Sequence, residues 1–215
     1  MTNDGAMTEE RRIAVLSGGL STPSSTRLLA DRLADAARAA LADRGIAARI
    51  DVVEVRDLAH DVVSATLTRF PGPDLERALR TVTDADGVIV VTPTFNASYS
   101  GLFKSFVDLI EPAALEGHPV LIGATGGSER HSLVLDHALR PLFSYLRATV
   151  LPTGVYAATG DWGAAEQPGA AALLDRVDRA GRELAAAIAA QPVRVAAPDD
   201  FSVDADFEDL LRSLD

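Results

Sequence analysis

Three short polar segments of the sequence carry residue types that suit the binding of a phosphorylated, flat ligand. Residues 18–26 are rich in glycine and hydroxyl groups, residues 93–96 follow a β-branched run, and residues 125–128 contain two adjacent glycines. Hydroxyl and backbone N–H donors at the start of a helix can hold a phosphate without a metal ion, because the helix dipole also favours negative charge there. Adjacent glycines let the backbone approach a flat ring closely. The expected ligand contacts are Ser17, Ser24, Ser25, Thr26, Pro93, Thr94, Phe95, Asn96, Thr125, Gly126 and Gly127.

These segments lack the motifs of the common nucleotide sites. Residues 17–27 contain neither the Gly-Lys-Ser/Thr element of a P-loop nor the Gly-x-Gly-x-x-Gly spacing of a dinucleotide fold. A phosphate grip with two backbone-lined segments suits flavin mononucleotide (FMN), with the phosphate at 18–26 and the isoalloxazine ring across the other two segments. Taken alone, the first segment fits a capped helix after a glycine turn equally well, and the second fits an ordinary strand-to-helix connection.

Five short runs rich in β-branched residues predict the strands that would position these segments. Strand, helix and strand in alternation make a parallel sheet, and the segments after strands one, three and four then meet at one edge, where ligands bind in open α/β sheets. We therefore predict an α/β fold, a three-layer sandwich with a five-stranded parallel sheet and helices on both faces. The predicted strands are 12–17, 49–55, 87–92, 119–124 and 149–155.

Apolar residues at helical spacing predict the helices between these strands. One begins near Ser24 or Ser25, one begins at Asp74, and others cover about 100–110, 132–146 and 170–190. Residues 56–74 are expected to be mostly loop with at most a short helix. The helix at 100–110 is apolar over more of its circumference than one buried face requires, which predicts an oligomer; packing of the surplus against residues 56–74 is the alternative.

The ends of the chain differ from its body. We expect a disordered N-terminus at 1–11, one domain at 12–191 and an acidic C-terminal tail at 192–215. From residue 198 onward seven acids face one arginine, a net charge of −6. Apolar residues of the tail recur at helical spacing, which predicts a docking segment, although a solvated, disordered terminus is the alternative. These apolar residues are Phe207, Leu210, Leu211 and Leu214.

Composition excludes several classes of function. The 215 residues include no cysteine, so thiolate chemistry and disulfides are excluded and a cytoplasmic location is the default. A net charge of −11 argues against nucleic acid. No run of about 18 apolar residues predicts a membrane span, and residues 1–12 lack the apolar stretch of a secretory signal.

His131 and His137 do not have metal-ligand spacing, so no metal site is expected. Trp162 could equally wall the site or anchor a loop.

The second segment carries a family resemblance. Residues 93–104 read PTFNASYSGLFK, and together with the small residues of 17–26 and Gly126-Gly127 they resemble the NAD(P)H-dependent FMN reductase family. The sequence is most similar to the flavin reductases that partner luciferase-like or alkanesulfonate monooxygenases. Over residues 12–188 the resemblance implies a flavodoxin-like fold with strand order 2-1-3-4-5, homodimers or homotetramers, and supply of reduced FMN to a partner monooxygenase. Two departures are that 21–23 lack the arginine found in many members, and that Phe95 stands where many have tyrosine.

The expected chemistry belongs to cofactors. Hydride passes from C4 of NAD(P)H to N5 of FMN, so no catalytic side chain is expected, and backbone N–H groups near Phe95 and Asn96 would stabilise charge near flavin N1. A quinone or azo reductase would use the same site. A flavodoxin-type electron carrier without NAD(P)H activity, or a flavin-free interaction protein, are alternatives from other classes.

Overall fold

The computed structural model describes residues 10–163 and 168–194. Between the regular elements lie 3₁₀ turns at Val55–Leu58, Glu129–His131 and Thr159–Asp161, and a π-helical turn at Leu135–Leu139 precedes the fifth helix. In chain order the strands and helices are β1 (Glu10–Ser17), α1 (Ser25–Ala42), β2 (Ala47–Glu54), α2 (Ala59–Thr68), α3 (Pro73–Thr83), β3 (Gly87–Phe95), β4 (Ser98–Tyr99), α4 (Gly101–Val107), β5 (Pro119–Gly126), α5 (Arg140–Tyr145), β6 (Thr149–Val150), β7 (Val155–Ala158) and α6 (Pro168–Ala189).

A mostly parallel sheet forms the middle layer. Its central path is β2-β1-β3-β5-β6, β7 also pairs with β5, and β4 pairs antiparallel with β3. The expected count of five strands was wrong, because the described residues form seven. Pro152, which has no N–H, lies in the gap that divides the fifth predicted strand into β6 and β7. The other additional strand, β4, arises from a tight turn after Phe95.

Both faces of the sheet are covered by helices. Strand β3 shows this directly: Val88 and Val90 are buried in one apolar cluster, whereas Ile89 and Val91 are buried in the other. Helices α1 and α6 cover the second cluster, and the remaining helices cover the first. This explains why β3 reads as a continuous apolar run in the sequence. The structure is therefore an α/β parallel sheet between two helical layers.

Residues 56–74 are more helical than expected. A 3₁₀ turn and the ten-residue helix α2 occupy most of this segment, and α3 begins at Pro73 with Gly72 as N-cap residue, one position before Asp74. Helix α2 packs against α4. Helix α4 and the residues after it bury Phe106 and Ile110 in the same cluster as Val62 and Ala65 of α2, so the surplus apolar surface of residues 100–110 is used within the monomer.

A buried ion pair ties the chain together at the amino ends of the strands. Arg11 Nη1 lies 3.3 Å from Asp86 Oδ1, and both side chains are almost fully buried. Asp86 also accepts hydrogen bonds from the backbone N–H groups of Arg12 and Arg194, at 2.7 and 2.9 Å. Strand β1 consequently starts at Glu10, inside the segment expected to be disordered.

Residues 1–9 and 195–215, with most of the acidic tail, lie outside the described residues. Among those that are described, no helix has the length and apolarity to cross a bilayer.

His118 predicts how stability changes with pH. Its ring is buried, Nε2 lies 2.8 Å from Thr83 O, and burial together with Arg194 lowers the pKa of His118 below its ordinary value. In the unfolded chain the ring takes up a proton near pH 6.5, whereas the folded ring takes one up only at a lower pH. The unfolded state then binds more protons, so the free energy of unfolding should fall as pH drops below about 6.5.

Urea unfolding at pH 7 and pH 5 checks this expectation. The H118Q variant should lose less stability over this interval than the wild type, whatever its stability at pH 7. The H60Q variant, which replaces an exposed histidine, should follow the wild type. Equal losses in H118Q and H60Q would show that His118 does not govern this pH dependence.

Candidate active site

The carboxyl ends of β1, β3 and β5 lie side by side. Ser17 pairs with Val91, and Pro93 pairs with Thr125. The segments that follow these strands therefore border one cleft of about 470 Å³, a size typical of small-molecule sites. The cleft is lined by Leu20, Ser21, Ser25, Thr26, Pro93, Thr94, Phe95, Thr125, Gly126, Gly127, Thr159 and Trp162.

The cleft brings together eight of the eleven residues expected to contact the ligand, and the other three lie elsewhere. Ser17 is fully buried within β1. Ser24 is the N-cap of α1, where its hydroxyl accepts a hydrogen bond from the Arg27 N–H at 3.2 Å. Asn96 lies in the turn between β3 and β4 and does not line the cleft. Leu20 and Thr159 line it although the sequence did not single them out; no local pattern distinguishes them from ordinary loop residues.

The start of α1 is fixed against the neighbouring strands. Gly18 donates its N–H to Val91 O at 2.8 Å, which holds the turn after β1 against β3. Ser25 opens the helix and is exposed, whereas Thr26 is buried. The hydroxyls of Thr26 and Thr125 are 2.8 Å apart. This buried hydrogen bond links the first and third segments across the floor of the cleft.

The second segment is a tight hairpin. Phe95 pairs with Ser98, and the two residues between them, Asn96 and Ala97, have φ values of 47° and 65°. Two positive φ values in a two-residue loop are typical of the turn that matches strand twist. Strand β3 therefore continues through Pro93, beyond its predicted end at residue 92, because the hairpin pairs the two residues that follow Pro93. Phe95 remains about half exposed at the cleft.

The two glycines of the third segment have different roles. A Cβ on Gly126 would lie 2.2 Å from the Tyr156 hydroxyl, whereas nothing lies within 4 Å of the corresponding position on Gly127. The Tyr156 hydroxyl donates to Ser128 O at 2.8 Å, and burial raises the pKa of Tyr156, which keeps it a neutral donor. Gly126 is thus required by packing, and Gly127 is the glycine that leaves room for a ligand.

The described residues of the cleft offer hydroxyls, backbone groups and apolar surface. Of the described residues that line it, none is ionisable at neutral pH. Trp162 is held in place with Arg32 stacked 5.1 Å from its ring centroid. General acid–base or hydrolytic chemistry has no candidate side chain here, whereas chemistry carried by bound cofactors needs none.

A family model described as NADPH-dependent FMN reductase matches residues 11–163 of the chain. The chain belongs to this family. The resemblance seen in the sequence is thereby confirmed, and the matched residues include the strands and segments that form the cleft.

Individual relatives agree with the family assignment. The chain is 43% identical over 159 residues to an FMN reductase (NADPH) of Pseudomonas aeruginosa, covering 73% of this chain and 81% of the relative. It is also 43% identical over 156 residues to the NADH-dependent FMN reductase SfnE of Pseudomonas putida, with 72% and 81% covered. A solved oxidoreductase structure from Corynebacterium diphtheriae is 48% identical, with a TM-score of 0.82, over 86% of this chain and 100% of that chain. The fold is therefore flavodoxin-like.

The Thr26–Thr125 hydrogen bond should stabilise the empty protein measurably. Either T26V or T125V leaves a buried hydroxyl without its partner, which costs about 1–3 kcal/mol. The double variant T26V/T125V removes both hydroxyls and should be less destabilised than the sum of the single variants. Urea unfolding of all three measures this coupling, with T66V, a helical hydroxyl on α2, as the control. Additive losses would show that the two hydroxyls do not interact.

Proposed function

We propose that the cleft at the carboxyl edge of the sheet holds FMN and receives the nicotinamide of NAD(P)H beside it. The chain is an NAD(P)H:FMN oxidoreductase, with FMN and NAD(P)H as its cofactors. The observation that supports this site is the convergence of three sequence-distant segments on one cleft, with the Thr26–Thr125 hydrogen bond joining two of them. The described residues that line this cleft include no ionisable side chain.

The phosphate end of the ligand belongs at the start of α1. We call residues 18–25 the phosphate loop. Ser21 and Ser25 of this loop line the cleft, although the Ser21 hydroxyl donates to Pro23 O at 3.0 Å. The first turn of α1 adds backbone N–H groups and the positive end of the helix dipole. No glycine-rich dinucleotide motif extends the site. This arrangement suits one terminal phosphate and favours FMN over FAD.

The ring end belongs between the hairpin and the third segment. Phe95 and Trp162 provide apolar walls, and Gly127 leaves its backbone open to the cleft. The bound cofactors supply hydride donor and acceptor, so the protein orients the two rings, limits water and places backbone N–H groups near developing negative charge. We propose that the contacts come from Ser25, Thr26, Pro93, Thr94, Phe95, Thr125, Gly126 and Gly127, with Ser21 and Trp162 added.

The direct test is binding and turnover with a cleft-filling variant. The wild type should bind FMN in calorimetry, bind FAD more weakly, and oxidise NADH or NADPH when FMN is present. G127L places a side chain in the open part of the cleft and should weaken FMN binding at least tenfold. G72L, at another glycine with nothing within 4 Å of its Cβ position, should bind FMN as the wild type does. No FMN binding by the wild type, or equal effects of both variants, would contradict the proposed site.

The absence of ionisable groups among the described cleft residues predicts a flat pH profile. Side-chain acid–base catalysis gives kcat a bell shape governed by the pKa values of the acid and base. Here kcat for NAD(P)H oxidation with saturating FMN should vary by less than about threefold between pH 6 and pH 8. Stopped-flow measurement of the hydride-transfer step gives the cleanest reading. A tenfold change with a single titration would show that a side chain takes part.

The reductase is proposed to work as a homodimer or homotetramer in the cytoplasm and to pass reduced FMN to a separate monooxygenase. The apolar surface that supports an oligomer lies on α2 and just after it, not on α4. Val63 and Leu67 lie one turn apart on α2, and Phe70 follows the end of that helix. Their side chains are 54%, 80% and 81% exposed.

A charge on this surface should dissociate the oligomer. The variant L67E should lower the mass found by light scattering at micromolar concentration, because a buried unpaired carboxylate is costly. A39E, which adds the same single negative charge at an exposed position of α1, should leave the mass unchanged. A wild-type monomer, or an unchanged L67E oligomer, would contradict this assignment.

A further inference from the structure

The phosphate loop contains no cationic side chain of its own. Residues 18–25 are two glycines, a leucine, a proline and four hydroxyl residues. The first arginine beyond them is Arg27, and it is committed to two carboxylates. Its Nε lies 2.7 Å from Asp31 Oδ1, and its Nη1 lies 2.7 Å from Glu54 Oε1. The positive charge of Arg27 is therefore matched by neighbouring acids, and this guanidinium is held between α1 and the end of β2.

A second arginine reaches the loop from another part of the chain. Arg56 lies in the 3₁₀ turn that directly follows β2, the strand beside β1. Its Nη1 donates to Ser21 O at 2.9 Å and to Thr22 Oγ1 at 2.5 Å. Its side chain is 31% exposed, and its carboxylate neighbour, Asp57, is 3.4 Å away and largely exposed. An ion pair with so exposed a partner is weak, and Arg56 has this one carboxylate partner where Arg27 has two.

The direction of these hydrogen bonds matters for an anion. Because Thr22 Oγ1 accepts from the guanidinium, its own proton must point elsewhere. The Ser21 carbonyl, whose dipole would repel an anion, is turned toward Arg56 and is compensated by it. The Ser21 carbonyl and the Thr22 hydroxyl oxygen are therefore fixed on the Arg56 side. Because the Ser21 hydroxyl donates to Pro23 O at 3.0 Å, the donors left for an anion are the Ser25 hydroxyl and the N–H groups at the start of α1.

We propose that Arg56 is a positioning residue for the phosphate of FMN. It holds the phosphate loop through Ser21 O and Thr22 Oγ1, outside the cleft, and supplies the positive charge that the loop lacks. This inference rests on the proposed function. A guanidinium suits the role because its planar fork can hold a loop through one nitrogen while its charge remains delocalised over all three. The ligand property that Arg56 recognises is the phosphate charge and not the flavin ring.

The test compares FMN with riboflavin, which carries the same ring without the phosphate. R56Q removes the charge and keeps a polar side chain, R56K keeps the charge and loses the fork, and R38Q on the last turns of α1 makes the same change in net charge. Calorimetry or flavin fluorescence quenching with each protein gives both affinities at about 20 mM and 500 mM salt.

R56Q should weaken FMN binding about five- to tenfold at low salt, as expected for one charge acting on a dianion in a water-like dielectric. Riboflavin binding should change less than twofold, R56K should recover most of the loss, and the loss should shrink at high salt. Unchanged FMN affinity in R56Q, equal losses for FMN and riboflavin, or an equal effect of R38Q would overturn the role of Arg56. Failure of the wild type to bind FMN at all would instead overturn the proposed function on which the inference rests.

Discussion

Parallel pairing of β1, β3 and β5 is the constraint on which the cleft depends. Because these strands run in the same direction and are covered on both faces, three segments that are far apart in sequence begin at one edge of the sheet. The hydrogen bond between Thr26 and Thr125 then closes the floor between two of them. At the opposite edge, the buried pair of Arg11 and Asp86 fixes the amino ends of the strands. The sheet thus fixes the edge at which the cleft forms. The hydride-transfer chemistry belongs to the cofactors that we propose bind there.

The sequence predicted the elements whose signals are local and repeated. The β-branched run at 87–92 predicted a strand covered on both sides, and a helix capped at Ser24 or Ser25 followed from spacing and hydroxyl chemistry. It did not predict α2, because Pro71-Gly72-Pro73 dominates the pattern of 56–74 and the helix is stabilised by packing on α4. It also missed β4, since a hairpin at Asn96-Ala97 requires two non-glycine residues at positive φ, which residue type alone does not indicate.

The sequence predicted the position of the candidate site in the sheet better than it predicted the individual residues that line the cleft. Hydroxyl and glycine segments at the ends of buried strands identified the edge, and eight expected residues line the cleft. Ser17 and Ser24 were expected there from their positions, but one side chain is enclosed in the sheet and the other is used as a helix cap. The contact between Arg56 and the phosphate loop could not be predicted from local sequence patterns, because Arg56 lies 32 residues after Ser24. Arg56 reaches the loop because β2 pairs with β1.

A crystal structure of the protein with FMN tests the central claim most directly. We expect density for the phosphate at the start of α1, beside Ser25 and Thr26, and density for the ring between Phe95 and Gly127. A phosphate bound away from α1, or a ring bound outside the cleft formed by the three segments, would contradict it.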